Sequence, residues 1–306
     1  MKNRKVIKRI AASCAAIVTL IGAGLGINSL SKDKETKPEG HTEKSTQVNI
    51  EESIGSLEIH FLDVGQGDAT LIKCGDAAML IDAGENDKGS AVWSYLKSQN
   101  ITKLDYVIGT HPDSDHIGGM DVIVYKFDCA NIFMSSYKKE TKTYDDVVQA
   151  AKSKNYKITN PKLGDTYNLG NAKFTIVAPN DTYEDANNAS IGIYLEFGKT
   201  SYLFTGDAEY KAEKDIIDSG YNIDADVYKA GHHGSRTSSS DEFLEAVTPK
   251  YVVVSCGEDN MYEHPHAAIL NYCRIGKIPL YRTDKQGTIV LKSDGENIEW
   301  NMAPSY

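Results

Sequence analysis

Alternating apolar and polar positions predict a strand-rich start to the folded part of the chain. Three short strands are expected at residues 57–62, 69–73 and 77–81. The first leads into a polar turn with two glycines, and the third ends at Asp82, so acidic side chains stand where strands run out into loops. Loops of this kind commonly carry binding and catalytic side chains.

Later segments continue the alternation of strands and helices. Further strands are predicted at residues 104–109, 132–134, 174–178, 191–197, 202–205, 226–230 and 251–255. Helices are predicted at residues 90–99, 117–125, 144–155 and 209–218. The strands fall into two groups with helices between and after them. This order predicts two sheets covered by helices, an α/β layered sandwich.

Composition narrows the class of protein without naming a function. The 306 residues are 41% hydrophobic, enough for one large domain or two small ones. A net charge of -10 argues against holding nucleic acid by bulk electrostatics, although local basic patches or bound metal ions would change this. Basic residues in the last third would either contact phosphates or be scattered solvated charges: Lys229, Arg236, Arg274, Lys277, Arg282 and Lys285.

The N-terminal residues have the form of an export signal. Basic residues crowd positions 1–9, and residues 10–30 carry no charge. Residues 1–30 are therefore predicted to be a signal peptide or an uncleaved membrane anchor with its basic end inside. Residues 31–55 are polar and predict a flexible linker, and residues 56–306 form the folded domain. The protein is expected outside the cell or on the outer face of the membrane. No disulfide is expected, because the cysteines show no framework spacing, and no thiolate zinc site is expected, since no C-x-x-C pair occurs.

The densest chemistry follows the predicted strand at 104–109. His111, Asp113 and Asp115 alternate, which would place them on one side of an extended loop, and His116 follows as the chain turns towards a helix. Imidazole suits zinc, and carboxylates suit harder ions such as manganese or magnesium. The cluster predicts a two-metal site; the alternative is a polar loop with surface histidines.

Six motifs in order resemble the metallo-β-lactamase superfamily, and more narrowly the soluble hydrolase domain of the ComEC competence family. They are Asp63-Val64-Gly65-Gln66-Gly67-Asp68, Asp82-Ala83-Gly84, His111-x-Asp-x-Asp-His116, Asn187-x-x-Ser190, Gly206-Asp207 and His232-His233-Gly234-Ser235. The resemblance covers nearly everything after residue 57 and implies an αββα sandwich with two divalent ions, zinc or manganese, at one edge. The channel region and oligonucleotide-binding domain of that family have no counterpart in this sequence, so a stand-alone version is expected.

The resemblance also implies a ligand set. His111 and Asp113 would hold one ion, Asp115 and His116 the other, and Asp207 would bridge them. His233 is favoured over His232 as the last ligand, and the other histidine would face the substrate. Asp82 and Asp63 would support the ligands, Asp82 by accepting the second N–H of a ligating histidine. Two departures from the wider superfamily occur: Asp113 replaces a histidine, and residues 187–190 replace a later one.

Substrate contacts and catalytic residues follow from the same motifs. Asp115, His232 and His264 are the predicted catalytic residues, with His264 as a proton donor because residues 257–266 resemble the family's Gly-x-x-Asn-x-Tyr-x-His-Pro segment. The alternative is a purely structural histidine beside a proline. The predicted substrate contacts or supporting residues are Gln66, Asp68, Asn187, Ser190 and Ser235.

Two ions a few ångströms apart can activate a shared water and clamp the oxygens of a phosphodiester. We therefore expect an exported, metal-dependent phosphodiesterase, a DNase with nucleic acid as its substrate. Two alternatives remain: hydrolysis of a phosphorylcholine ester, lactam or lactone at the same site, or a surface protein that binds metal or nucleic acid without turnover. The N-terminal segment would contact the membrane if uncleaved, and no obligate protein partner is expected.

Overall fold

The computed structural model describes residues 55–305. The predicted signal or anchor at residues 1–30 and all but the last residue of the predicted linker lie outside the described residues. Within residues 55–305, no helix has the length and apolar character required to cross a bilayer. The four cysteines of this part, Cys74, Cys129, Cys256 and Cys273, are buried free thiols.

Fifteen strands and eight helices make up the described part of the chain. The strands are β1 (Leu57–Phe61), β2 (Thr70–Cys74), β3 (Ala77–Ile81), β4 (Lys103–Gly109), β5 (Asp128–Met134), β6 (Ile158–Thr159), β7 (Thr166–Leu169), β8 (Ala172–Ala178), β9 (Gly192–Phe197), β10 (Thr200–Phe204), β11 (Val227–Lys229), β12 (Tyr251–Val254), β13 (Leu280–Arg282), β14 (Ile289–Ser293) and β15 (Ile298–Trp300). The helices are α1 (Gly89–Ser98), α2 (Ser114–Ile117), α3 (Met120–Lys126), α4 (Lys142–Ser153), α5 (Tyr210–Ser219), α6 (Asp241–Val247), α7 (Ala267–Gly276) and α8 (Thr283–Gln286). A 3-10 turn spans Gly231–Gly234.

The strands form two sheets. The first has eight strands in the order β15-β14-β1-β2-β3-β4-β5-β6, and the second has seven in the order β13-β12-β11-β10-β9-β8-β7. Strand β1 pairs in antiparallel register with β14, so Leu57 lies opposite Ser293 and the two ends of the folded region meet in one sheet. Cross-strand charge pairs reinforce this join, since Glu58 on β1 contacts Lys73 and Lys292 on its neighbours.

Three apolar layers hold the fold together. The central layer lies between the sheets and contains fully buried side chains from both, including Phe61 and Met79 from the first sheet and Phe174 and Tyr202 from the second. A second layer joins the outer face of the first sheet to α1, α3 and α4, and a third joins the outer face of the second sheet to α6 and α7. The predicted αββα sandwich is confirmed.

The strand directions bring the site loops to one edge. In the first sheet β1, β3 and β4 run the same way, and in the second β10, β11 and β12 are parallel. Each of these strands is followed at its carboxyl end by a loop that bears polar side chains, the usual location of sites in such sheets. A hydrogen bond of 2.9 Å from Ile191 N to Thr110 O joins the sheets at this edge.

One local expectation is wrong. Asp115 does not lie on an extended loop, because Ser114–Ile117 forms a helical turn that starts directly after Asp113. The helix predicted at residues 117–125 is divided into α2 and α3 at Gly118 and Gly119. Alternation therefore does not explain why Asp115 and His116 face the same site; the helical turn does.

Candidate metal centre

Four side chains bring donor atoms together at the sheet edge. His116 Nε2 lies 3.3 Å from His233 Nε2 and 3.2 Å from Asp207 Oδ1. His233 Nε2 lies 3.2 Å from Asp115 Oδ2 and 3.5 Å from Asp207 Oδ2. Ligands of a tetrahedral ion, each about 2.0–2.2 Å from it, are roughly 3.3–3.6 Å apart. The spacing therefore fits one divalent ion, and it places His233 among the donors as predicted.

His111 and Asp207 indicate where a second ion would fit. His111 Nε2 is buried without a hydrogen bond and lies 3.9 Å from Asp207 Oδ2. Asp207 Oδ1 is buried as well, and it lies 3.2 Å from His116 Nε2. Buried polar atoms are nearly always paired, so the unpaired Nε2 of His111, which faces the Asp207 carboxylate, suggests a ligand site. Asp207 faces both groups of donors, the arrangement that a bridging ligand requires.

Asp113 lies at the rim of this group. Its side chain is partly exposed, and Oδ1 accepts a hydrogen bond of 2.8 Å from Lys139 Nζ. The sequence did not single out Lys139, which lies on the loop before α4. A bound cation and the lysine would compete for this carboxylate, so the role of Asp113 as a ligand stays a prediction.

Buried partners orient two of the histidines. Asp82 accepts hydrogen bonds of 2.8 Å from both the backbone N–H and the hydroxyl of Thr110, and it lies 2.8 Å from His116 Nδ1. A carboxylate that accepts the Nδ1 proton leaves the Nε2 lone pair for a metal. His233 Nδ1 is 3.0 Å from the carbonyl oxygen of Ser255, which has the same consequence.

Asp63 lies elsewhere than expected. It is exposed, its Oδ1 accepts from Gly65 N at 3.1 Å, and its own N–H donates to Thr288 Oγ1. The carboxylate therefore closes the turn after β1, and the geometry gives no support to the expected role behind a metal ligand.

Several of the predicted substrate contacts or supporting residues are buried supports. Ser190 is fully buried, accepts from Asp207 N at 3.1 Å and lies 3.4 Å from His111 Nδ1, so it holds two candidate ligands. Asp68 is buried against Lys229 at 2.6 Å, and Ser235 Oγ lies 3.0 Å from Thr237 Oγ1. All three side chains are engaged within the protein, as the supporting alternative expects, and their contact with substrate stays a prediction.

Gln66 and Asn187 are partly buried near the site. Gln66 Nε2 lies 3.4 Å from His264 Nδ1, and its Oε1 accepts from Gly257 N at 3.2 Å, so the side chain holds the loop that carries His264. Asn187 donates to Glu209 Oε1 at 3.4 Å. Glu209, which sequence reasoning missed, also lies 3.2 Å from His232 Nδ1 and orients that ring.

Four buried residues each offer one donor atom within 4.8 Å of the others: Asp68, His116, Asp207 and His233.

Residues 62–258 match the family model of the metallo-beta-lactamase superfamily. The chain belongs to this superfamily. The motif order had suggested the same superfamily, which this match confirms. It had also suggested the competence branch, and the curated relatives described next are named as competence-associated proteins.

Two curated relatives are competence-associated proteins. The chain is 30% identical over 269 residues to ComE operon protein 3 of Bacillus subtilis, covering 81% of this chain and 34% of that protein. It is 29% identical over 288 residues to Competence protein ComA of Neisseria gonorrhoeae, covering 92% and 38%. The chain thus spans little more than a third of these relatives. The metallo-beta-lactamase fold protein YhfI of Bacillus subtilis shares the fold, with a TM-score of 0.53 and 12% identity over 78% of this chain and 100% of that one.

The metallo-β-lactamase site concentrates opposite charges in a buried space. Burial raises the pKa of Asp115, but His116 and His233 lower it to about 2 overall. The pKa of Asp207 lies well below its usual range because, against burial, the same two histidines stabilise its charge. Burial lowers the pKa of His233, yet Asp207 and Asp68 raise it to about 10. The pKa of His116 is likewise well above normal, since Asp207 and Asp82 outweigh burial. Divalent cations would replace this positive charge among ionised carboxylates.

His264 stands beside the donor group. Its ring centroid is 5.5 Å from that of His232 and 5.6 Å from that of Tyr262, which stacks on it. Burial, and then the neighbouring His233 and His232 rings, lower the pKa of His264 to about 4. The ring is therefore neutral at pH 7 in the metal-free protein. A neutral ring can donate or accept a hydrogen bond, but it must first take up a proton to serve as the predicted proton donor.

The backbone around the site adopts conformations that side chains disfavour. Asp82, His232 and His233 have φ values of 58°, 47° and 55°. Left-handed residues other than glycine cost on the order of 1 kcal/mol or more and tend to occur at functional sites. Gly67, at φ 133°, allows the turn after β1 to pack on α2, because a Cβ there would lie 2.3 Å from Asp115 O.

Proposed function

We propose that this metallo-β-lactamase domain is a metal-dependent phosphodiesterase that cleaves DNA outside the cell membrane. The observation that carries the proposal is the position of Asp207 between two groups of buried donors, in a chain whose curated relatives are competence-associated. His111, Asp113 and Asp207 would hold one ion, and Asp115, His116, His233 and Asp207 the other, zinc or manganese in each case. When bound, such ions supply an acidified water and positive charge next to a phosphodiester.

Residues at the rim suit a nucleic-acid substrate. The loop before α4 carries Lys138 and Lys139, and Lys139 reaches the site itself. This local positive charge supports phosphate binding in a protein whose net charge is -10. Tyr262 is 57% exposed and stacked on His264, a suitable surface for an unpaired base.

His232 is the side chain best placed to meet the substrate. It is partly exposed, its Nε2 lies 3.7 Å from Asp207 Oδ2, and Glu209 lies 3.2 Å from its Nδ1. A Nδ1 proton held by Glu209 leaves the Nε2 lone pair towards Asp207 and the reacting group. His232 would thus hold or accept a proton beside the phosphodiester.

The proposal also places the domain outside the membrane, because residues 1–30 combine a basic start with an uncharged run. A fusion of residues 1–55 to a reporter that folds only after export tests this point. An active reporter is expected. A reporter that stays in the cytoplasm would contradict the proposed location.

The catalytic proposal is tested with purified protein on single-stranded and double-stranded DNA. Cleavage should require Mn²⁺ or Zn²⁺ and stop with chelator. Asp207→Ala should lower the rate by about 100-fold or more, because both donor groups lose a ligand. Asp76→Ala is the matched control, since Asp76 is exposed on the turn between β2 and β3.

Parallel assays separate the alternatives. A β-lactam and a chromogenic phosphodiester are offered to the same preparation. Hydrolysis of the lactam without DNA cleavage would move the protein to another hydrolase class. Binding of DNA without any turnover, unchanged in Asp207→Ala, would make it a receptor instead.

A further inference from the structure

A lysine is buried behind the donor group. Lys229 ends β11, between Phe204 on β10 and Val253 on β12, and only 4% of it is exposed. Its Nζ lies 2.6 Å from Asp68 Oδ2 and donates to Ala230 O at 3.1 Å. The sequence had suggested a phosphate contact or a solvated charge for this residue, and its burial contradicts both. Burying an ion pair costs free energy, so the pair calls for a functional reason.

The ion pair continues to a metal-ligand candidate. The other oxygen of Asp68, Oδ1, lies 3.4 Å from His233 Nδ1 and is buried without a hydrogen bond of its own. The same His233 nitrogen is 3.0 Å from Ser255 O. On the other side of the ring, His233 Nε2 meets Asp115 and His116 at 3.2 and 3.3 Å. A continuous path therefore runs from Lys229 through Asp68 and His233 to the donor group.

We propose that Lys229 is a positioning residue for metal binding, which holds the Asp68 carboxylate against His233 Nδ1 so that His233 Nε2 faces the metal. The ammonium group occupies Asp68 Oδ2 and balances its charge. Asp68 Oδ1 then lies 3.4 Å from His233 Nδ1, whose proton goes to Ser255 O, and the two oxygens together fix the orientation of the ring. A carboxylate beside the second nitrogen of a ligating histidine fixes its ring orientation and makes it a better ligand. Lys229 itself contacts neither metal nor substrate.

The backbone supports this assignment of Asp68. Asp68 N donates to Asp115 O at 3.0 Å, and Gly84 N donates to Asp68 O at 2.8 Å. These bonds hold the Asp68 main chain between the segments that carry Asp115 and Asp82. With the main chain fixed there, the side chain extends towards β11, where Lys229 and His233 Nδ1 lie.

If Asp68 were itself a metal ligand, removal of Lys229 would have the opposite effect on metal affinity. Because one donor atom of Asp68 lies within 4.8 Å of donors from His116, Asp207 and His233, Asp68 could itself be a ligand. The lysine would then compete with the metal. Removal of the lysine would weaken metal binding if Lys229 positions His233, and would tighten it if Lys229 competes.

The test is a measurement of zinc and manganese affinity by competition with a chromogenic chelator. Lys229→Met and Asp68→Asn are expected to bind metal about 10- to 100-fold more weakly than the unmodified chain. Lys250→Met is the matched control, because Lys250 is an exposed lysine whose partner, Asp226, lies far from the donors. Equal or tighter binding by Lys229→Met would overturn the proposal.

A double variant separates positioning from folding. Lys229→Met leaves Asp68 buried without a partner, which can destabilise the fold strongly. Replacing both charges, in Lys229→Met with Asp68→Leu, removes this cost, so thermal unfolding in chelator should stay near that of the unmodified chain. Metal affinity should remain at least about tenfold weaker. A double variant that binds metal as tightly as the unmodified chain would refute the positioning role.

This inference rests on the metal-binding part of the proposed function and not on its substrate. If the unmodified chain binds no metal, the proposed function fails. If it binds metal and the Lys229 variants bind equally well, only the positioning role fails. DNA cleavage enters neither measurement.

Discussion

Metal binding to this domain must displace protons from His116 and His233. Burial lowers the pKa of both rings, but in each case Asp207 first, and then a second carboxylate, raises it above normal. The pair of imidazoles therefore holds at least one extra proton at pH 7, whereas ligating imidazoles must be neutral. The two Nε2 atoms lie 3.3 Å apart. Binding of an ion between them should release at least one proton at pH 7.

The stability of the metal-free protein and its affinity for metal should change in opposite directions with pH. The pKa of His233 rises from 6.5 to about 10 in the folded, metal-free protein. The stability that this protonation contributes is fully present below pH 6.5 and is lost as pH rises to about 10. Metal affinity moves the other way and should rise by roughly tenfold per pH unit for each proton that the metal displaces. The difference in melting temperature between loaded and metal-free protein should therefore grow from pH 6.5 to 9.

Calorimetry in buffers with different ionisation enthalpies counts the protons released. Thermal unfolding with and without metal, measured at several pH values, gives the pH dependence of the difference in melting temperature. His264→Gln is the control. With a pKa of about 4, the His264 ring is already neutral at pH 7 and has no extra proton to release, so its loss should leave the count of released protons unchanged. A count near zero, together with an affinity that does not change with pH, would refute the reasoning.

Three further outcomes test separate parts of the structure. Gly67→Ala should lower the free energy of unfolding by about 2–4 kcal/mol in chemical denaturation, because the added Cβ would meet Asp115 O. The control Gly75→Ala has open space around the added Cβ and should lower the free energy of unfolding by only about 1 kcal/mol. Glu58→Gln should destabilise by about 1 kcal/mol at pH 7 and progressively less as pH falls from 4.5 to 2, since burial raises the pKa of this carboxyl but its two lysine partners lower it to about 2 overall. Urea unfolding at both ends of the range measures this cost, and an equal cost at pH 2 would count against the ion pairs. Tyr262→Ala should raise KM for single-stranded DNA by about tenfold and leave a small chromogenic phosphodiester unaffected; equal effects on both would exclude base stacking.

The sequence predicted the fold where the apolar pattern was strong and local. Strands β1, β3 and β9 are largely buried, and their predicted bounds agree with the structure to within a residue. Strands β14 and β15 were missed although they form a local hairpin, and the Asp294-Gly295 turn between them was a signal that was overlooked. The pairing of β14 with β1 joins residues more than two hundred positions apart, and no local pattern indicates that register.

At the site, the sequence identified chemical types better than their roles. Histidines and aspartates in ordered motifs indicated the donors, yet Asp68 and Ser190 proved to be buried partners, because a motif does not specify which face of a loop is solvated. Ser255 could not be found at all, since its backbone carbonyl is the interacting group. Lys229 left a signal that was overlooked: a lysine between Tyr228 and Ala230 interrupts an otherwise apolar strand.

The donors come from opposite sheets, which couples metal binding to the packing of the whole domain. Asp115 and His116 follow β4 in the first sheet, whereas Asp207 and His233 follow β10 and β11 in the second. Like charges alone would drive these carboxylates apart, and the neighbouring histidines stabilise them in the metal-free protein. An ion between them replaces that stabilisation with direct bonds across the two sheets. Lys229 acts in the same direction, since it joins β11 to Asp68 on the loop after β1. Metal affinity and the stability of the contact between the sheets should therefore rise and fall together in variants at this edge.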